Sequence, residues 1–334
     1  MHSVTVIILN WNGIEDTLSC LESLKKQTYK DFKIIVVDNG SVDKSVEILQ
    51  SLTQQDNLIK LYNEKNLGFA GGVNTAIKWA VEHDFTHVAL LNNDAIVEKD
   101  WLTNLTQRID NEEIGIYTSL ILHEDGKTID STGEFYSIWG IPSPRLRDDK
   151  FNLAPDSGYI FGASGGASLY SVAMLKKIGL FDEDFFAYYE DVDISFRAQL
   201  AGYKVYYNKG AVVYHQQGAS SSKISGFTTV QAFKNLPLLF WKNVPFALLL
   251  PIGTRFLLIY TLMYFNAVRR GDGVYATKGL VQGVGLFWAS SLWKRFKIQR
   301  SKVVSSSYIR SIISSELPPK SSLRKVTSIL KGAK

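Results

Sequence analysis

The chain has 334 residues, 46% hydrophobic and 21% charged, which gives ample material for a buried core and excludes a disordered protein. A single cysteine, Cys20, excludes an internal disulfide and a cysteine-based metal cage, and fits a reducing compartment. The net charge of +5 is local: Lys294 to Lys334 carries eleven Lys or Arg against one acid, Glu316, and the remainder, 26 basic against 31 acidic, predicts no nucleic-acid partner.

From the amino end, residues 1–110 alternate strand and helix patterns. Val4 to Leu9, Lys33 to Val37, Leu58 to Tyr62 and His87 to Leu91 read as buried strands. Glu15 to Lys26, Val42 to Leu52 and Gly72 to Glu82 read as helices. Such alternation predicts an α/β fold, a mostly parallel sheet flanked by helices, with this half binding a nucleotide. The first strand follows the amino terminus directly, so no secretory leader is expected.

Residues 111–225 read as the second half of the same domain, which would cover the first and supply an acceptor side. Its elements are a strand at Ile114 to Leu122, a loop-rich stretch from Asp125 to Asp156 and a helix at Glu190 to Ala201, stopped by Gly202. Two short strands follow, Lys204 to Tyr207 and Ala211 to Tyr214.

Residues 226–334 are apolar, then basic. Pro245, Pro251, Gly253 and Arg255 break the first apolar run, leaving Phe256 to Val268 as its cleanest piece. Its 13 residues would rise about 20 Å, short of a roughly 30 Å hydrocarbon core. A second run, Gly279 to Trp293, precedes Lys294, Arg295, Lys297, Arg300 and Lys302, and Trp241, Trp288 and Trp293 suit a headgroup layer. In-plane or re-entrant helices at the cytoplasmic face of the cell membrane are expected. The plainer alternative is a buried helical appendage, with a homo-oligomer contact.

Several residues carry chemistry. VTVIILNWNG runs a strand into Asn10, Trp11, Asn12 and Gly13 at the mouth of the sheet. VVDNGSVD places Asp38 at the same edge, where a carboxylate can accept from a base N–H or a ribose hydroxyl. The ordinary alternative there is capping of the next helix by Ser41 or Asn39. NEKNLGFAGGVN, Asn63 to Asn74, is a Gly-rich turn into a helix that can offer N–H groups to an anion. Its GFAGG lacks dinucleotide-fingerprint spacing, which counts against a nicotinamide dehydrogenase. LLNND supplies Asn92, Asn93 and Asp94, and one carboxylate with diphosphate oxygens can hold Mg2+ or Mn2+. His215 ends the last strand, where an imidazole is ordinarily decoration but suits manganese. Glu190, Asp191 and Asp193 open a helix in which Asp191 and Ser195 share a face; acids at a helix amino end are also simply favourable. GASGGA, Gly162 to Ala167, would let a ligand or a crossing segment come close. Trp139, Tyr188 and Tyr189 are candidates for stacking on a ligand ring, though aromatics there are more often packing, and Arg197 for steadying a carboxylate or phosphate.

In order and spacing, VIILNWNG, VVDNGSVD, NLGFAGGVN, LLNND, GASGGA, EDVDISFR and the His215 segment resemble the family 2 inverting glycosyltransferases, in particular the bacterial rhamnosyltransferase-like branch. The resemblance spans roughly residues 3–220 and implies a GT-A-type fold with a C-terminal membrane-associating appendage. It implies a nucleotide-diphosphate sugar donor, dTDP-rhamnose or else a UDP-sugar, and a glycan or lipid-linked saccharide acceptor in cell-surface polysaccharide synthesis. Donor contacts would come from Asn10, Asn12, Asp38, Asn39, Asn66, Gly71, Asn74, Asn92 and Asn93, with Asp38 reading the base. Asp94 and His215 would hold Mg2+ or Mn2+, Asp191 would be the general base, and Gly165, Gly166 and Glu190 would bind the acceptor. Asn92 departs from the pattern, since many relatives carry an acid there. Two rivals are a nucleotidyltransferase, whose basic Gly-rich loop is missing between Asn10 and Ile14, and a non-catalytic nucleotide-sugar-binding subunit.

Overall fold

The computed structural model describes residues 2–53, 57–215 and 224–316. The apolar β-branched runs become β1 (Val4–Asn10), β2 (Phe32–Asn39), β3 (Leu58–Asn63) and β4 (His87–Asn92). Helices α1 (Ile14–Lys25), α2 (Ser45–Ser51) and α3 (Gly68–Glu82) connect them. Strands covered on both faces need no polar alternation, which is why these read as continuous apolar runs. The other elements of the domain are β5 (Ala95–Val97), α4 (Trp101–Leu105), β6 (Ile114–His123), β7 (Ile129–Ser131), β8 (Glu134–Tyr136), β9 (Pro142–Pro144), β10 (Gly158–Ile160), β11 (Ala167–Ser171), α5 (Val172–Ile178), α6 (Glu190–Leu200) and β12 (Lys204–His215).

The main sheet runs β10-β12-β6-β11-β4-β1-β2-β3 and crosses residue 110 without a break. It is parallel from β4 to β3 and between β6 and β12, whereas β11 is antiparallel to both its neighbours. Along that path four of the seven pairings are parallel, as expected, and β11 enters from the opposite direction and divides two parallel groups. Residues 204–215, read as two short strands, form one strand whose pairing with β6 shifts between Asn208 and Val212. The stretch read as loop holds the three short strands β7, β8 and β9, too brief to show a period.

Sheet register gathers the polar strand ends. Asn10 stands opposite Asp38, Leu9 opposite Asn92, and Ala167 opposite Leu91. Three motifs far apart in the chain thus lie along one edge, where open α/β sheets place ligands.

The C-terminal region is α7 (Phe227–Asn243), α8 (Phe246–Arg269), α9 (Gly273–Leu286), a π-helical turn at Phe287–Ser291, α10 (Leu292–Arg300) and α11 (Ser306–Ile312). It is welded to the sheet domain. Tyr136, Phe161, Phe185, Val192 and Phe196 share one core with Leu238, Leu239, Val244 and Ile309. Charges reinforce that apolar seam: fully buried Asp193 accepts from Arg197 at 2.8 Å, Lys242 at 2.9 Å and Asn243 at 2.8 Å, and Lys242 also pairs with Asp182. A carboxylate stripped of water needs this number of donors.

Helix α8 is continuous over 24 residues, about 36 Å at 1.5 Å per residue, so the prolines do not shorten it as expected. Pro245 precedes its first turn and Pro251 falls in its second, where the cost is one early hydrogen bond. It is long and apolar enough to cross a membrane, by length and composition. Lys294 and Arg295, read as membrane-facing, are instead turned inward, to Asp182 and Asp184 and to the Trp241 and Val244 carbonyls. The basic residues beyond Glu316 and the QQGASSS segment lie outside the described residues.

Candidate active site

The corner where β1 and β2 end is a closed polar knot. Asn10, fully buried at the end of β1, donates to Asp38 Oδ2 at 2.8 Å and accepts from Thr17 at 2.8 Å. Asp38 Oδ1 accepts the Ser41 N–H at 2.9 Å, while Ser41 Oγ accepts the Asn12 N–H at 2.9 Å. Asn12, left-handed at φ 51°, accepts the Val42 N–H at 2.8 Å. Ser41 therefore stitches two loops together and does not cap α2, which starts only at Ser45. Asn39 works similarly, donating to Asn66 and the Gly68 carbonyl and accepting from Asn63 and the Leu67 N–H. These side chains fix the loops at the ends of β1, β2 and β3.

The Gly-rich helix α3 opens at Gly68, four residues earlier than expected. A Cβ on Gly68 would lie 2.4 Å from the Phe186 carbonyl oxygen, at a φ of 72° that only glycine accepts easily. Two N–H groups of its first turn are already spent, Gly68 on Asn66 Oδ1 at 2.8 Å and Ala70 on Phe186 O at 3.2 Å. Gly71 sits inside the helix, buried against Leu67. Asn74 is a correction: buried, it donates to Phe181 O at 2.8 Å and Glu183 Oε1 at 3.0 Å and accepts the Phe181 N–H at 3.1 Å. Both its N–H groups and one lone pair of Oδ1 tie α3 to residues 181–183, so its donors are not free for a nucleotide sugar.

At the end of β4 the predicted metal ligands meet. His215 Nε2 lies 3.0 Å from Asp94 Oδ1 and 3.1 Å from the Asn92 amide. Its Nδ1 faces Asp130 Oδ2 at 2.8 Å, and Asp130 Oδ1 pairs with Arg147 at 2.7 Å. Burial disfavours the imidazolium, but hydrogen bonds to Asp130 and Asp94 outweigh it and lift His215 to about 9. Burial alone would raise Asp130, yet His215 and Arg147 hold its carboxyl below the usual range. A carboxylate behind one imidazole nitrogen, with the other turned toward a second carboxylate, is the donor set of an oriented metal-binding histidine. Among the described residues no three acidic, His or Cys side chains form a complete cage. Two protein ligands completed by diphosphate oxygens fit a divalent cation that arrives with its donor. Asn93 instead donates to the Gly13 carbonyl at 3.2 Å and Thr17 at 3.3 Å, bracing α1.

Helix α6 presents its acid to the same place. Asp191 Oδ2 accepts the Gly165 N–H at 2.8 Å, Ser195 accepts the Ala163 N–H at 3.1 Å, and Gln199 donates to the Phe161 carbonyl at 2.9 Å. One helical face thus grips the backbone of residues 161–165 at i, i+4 and i+8. A Cβ on Gly165 would lie 3.3 Å from Asp191 Cβ, and one on Gly166 3.3 Å from the Asn92 amide nitrogen. Two consecutive glycines therefore separate Asp191 from the Asn92–His215–Asp94 cluster. The three distant motifs converge.

Glu190 and Asp191 differ in environment. Glu190 is buried with Oε2 unpartnered, and burial together with the Asp191 charge pushes it up to about 8. Burial also raises Asp191, but the Gly165 and Val192 N–H groups stabilise its anion. The Asp191 charge thus favours the proton on Glu190, while the two N–H groups favour the anion of Asp191. Sequence reasoning missed Asp130, Arg147 and Glu134. Glu134 is buried and raised well above its usual value, by burial and by Asp191. All three lie in the loop-rich stretch, where no periodicity distinguishes inward acids. Arg197 proves structural, its guanidinium spent on Asp193 and the carbonyls of Ile178, Gly179 and Leu180.

A sheet of this order, flanked by helices and with polar strand ends gathered along one edge, is the GT-A architecture. Residues 5–179 match the family model Glycosyl transferase family 2, and the chain belongs to that family. It is similar to Glycosyltransferase GlyG of Streptococcus pneumoniae, 28% identical over 134 residues, covering 40% of this chain and 42% of that protein. It is also similar to the low-salt glycan biosynthesis hexosyltransferase Agl10 of Haloferax volcanii, 24% identical over 204 residues, 60% of this chain and 62% of that one. The matched part thus spans less than two thirds of either relative. Among solved structures, the mannosyltransferase PcManGT of Pyrobaculum calidifontis in complex with GDP-Man and Mn2+ has a TM-score of 0.53 at 15% identity, covering 92% of this chain and 85% of that one. Residues 1–349 of S. aureus TarS in complex with UDP have a TM-score of 0.54 at 16% identity, covering 90% and 91%. At such identities the likeness is one of fold.

Proposed function

We propose that the protein is a metal-dependent inverting glycosyltransferase that moves a hexose from a nucleotide-diphosphate donor to a glycan or lipid-linked acceptor in cell-surface polysaccharide synthesis. The observation that carries this reading is the meeting of Asp191 with the Asp94–His215 pair across Gly165 and Gly166. Asp191 takes the acceptor hydroxyl's proton as that oxygen attacks the anomeric carbon; the C–O bond to the diphosphate breaks, and one displacement inverts the centre. Glu190, protonated, donates a hydrogen bond to the acceptor. Asp94 and His215 would hold Mg2+ or Mn2+, which when bound supplies positive charge for the leaving diphosphate. The rhamnosyltransferase-like motifs favour dTDP-rhamnose as donor, while the GDP-Man and UDP named for the structural neighbours keep other nucleotide sugars in the trial set.

The surface left open by α8 to α10 supports a place on the cytoplasmic face of a membrane. Phe246, Leu250, Leu257, Phe265, Trp288 and Trp293 are exposed there, with Arg269, Arg270 and Lys278 alongside. Large apolar side chains beside cations fit an anionic lipid surface. The test of function is release of nucleotide diphosphate from a panel of dTDP-, UDP- and GDP-sugars, with and without Mn2+. Turnover of one donor only with metal is expected. Release of pyrophosphate, or no turnover of any donor, would overturn the reading.

A further inference from the structure

The residues just before Glu190 follow an unusual path. Phe186 has φ 61° and ψ −62°, and the Ala187 N–H reaches the Phe185 carbonyl at 2.7 Å, closing a γ-turn of the rare positive-φ kind. Tyr188 at φ 68° and Tyr189 at φ 71° are left-handed too, a conformation aromatic residues seldom adopt. Such backbone persists only where its surroundings over-determine it.

Here the surroundings are α7 and α3. Asn235, fully buried, brings Nδ2 within 2.9, 2.8 and 2.9 Å of the carbonyl oxygens of Phe185, Ala187 and Tyr188. Lys234 Nζ adds a bond to the Phe185 carbonyl at 3.1 Å, and the Ala70 N–H takes the Phe186 carbonyl at 3.2 Å. The Tyr189 carbonyl then accepts the Asp193 N–H at 2.9 Å and begins α6. Without Asn235 the Ala187 and Tyr188 carbonyls lose their side-chain donor and the Phe185 carbonyl keeps only Lys234, so the left-handed path loses its main restraint.

We propose that Asn235 is a positioning residue of the active site: its amide holds residues 185–189 in their strained path and so aims Glu190 and Asp191 at the Gly165 turn. The proposal rests on the transferase reading and adds a residue, from the C-terminal helices, that no strand-end motif indicates. Relaxation of the turn would rotate the start of α6 and misplace the base. A shift of about 1 Å in a catalytic group costs roughly 100-fold in rate.

The test is Asn235→Ala in the full chain. Amide exchange at residues 187–191 is expected to accelerate at least about tenfold, with β1 to β4 unchanged. UDP with Mn2+ should bind within about threefold of the parent, while kcat for the donor found in the panel falls roughly 100-fold at nearly constant donor KM. Phe186→Gly in that background removes the left-handed penalty and should recover at least about fivefold of kcat. Should Asn235→Ala not fold, Asn235→Ser keeps one donor and is read the same way. Unchanged exchange at 187–191, kcat within about threefold of the parent, or a rise in donor KM alone would overturn the proposal. A parent that turns over no nucleotide sugar refutes the transferase reading, and exchange alone then decides whether Asn235 holds the turn.

Discussion

Glu190→Gln should stabilise the protein more strongly as pH rises. The glutamate is buried, lacks a partner at Oε2 and carries a folded-state pKa of about 8 against 4.5 for a free carboxyl. A group raised on folding contributes stability that is fully present below pH 4.5 and is lost as pH rises to about 8. At roughly 1.4 kcal/mol per pH unit, the window is worth up to about 5 kcal/mol, with part of the proton uptake shared with Asp191. Gln keeps the shape and one N–H donor but never ionises. The stability difference between variant and parent should therefore widen between pH 5 and 8 by about 1 kcal/mol per unit. Urea unfolding followed by tryptophan fluorescence at pH 5, 6, 7 and 8 measures it. Parallel stability profiles would refute the idea that Glu190 is a neutral acid in the folded protein.

Asp191→Asn should lower transfer at least about 100-fold while leaving nucleotide affinity unchanged, and undiminished turnover would remove Asp191 from the base role. Asp94→Ala should abolish the gain in UDP affinity that Mn2+ confers, measured by calorimetry; equal gains in parent and variant would exclude Asp94 as a ligand. Asp130→Asn leaves Asp94 and His215 in place but weakens the partner of His215 Nδ1, so Mn2+ affinity should fall by roughly 10- to 100-fold, and an unchanged value would make Asp130 irrelevant to the metal. Trp288→Ser with Trp293→Ser, both on exposed positions, should reduce sedimentation with anionic vesicles without altering thermal stability; unaltered sedimentation would dismiss this face as the lipid contact. Deletion of residues 240–334 is unsuited to that question, because it removes Lys242 and Asn243 from the buried Asp193.

The amino-acid order by itself determined the alternation of β1 to β4 with α1 to α3, because short β-branched runs bounded by turn residues admit few other structures. It also brought Asn10, Asp38, Asp94 and His215 forward, since polar residues closing apolar strands emerge where ligands bind, and Asp191 through the acidic opening of its helix. Tertiary structure decided the rest. Register alone put Asn10 beside Asp38, and only the glycine pair at 165–166 set Asp191 next to the Asn92–His215–Asp94 cluster. The reversal of β11, the single bulged β12 and the unbroken α8 depend on partners distant in the chain, to which a local pattern is blind. So do the buried partners Asp130, Arg147 and Asn235: a lone polar residue in a loop or helix carries no periodic mark, and its role exists only once long-range packing supplies the carboxylate, imidazole or carbonyl it must satisfy.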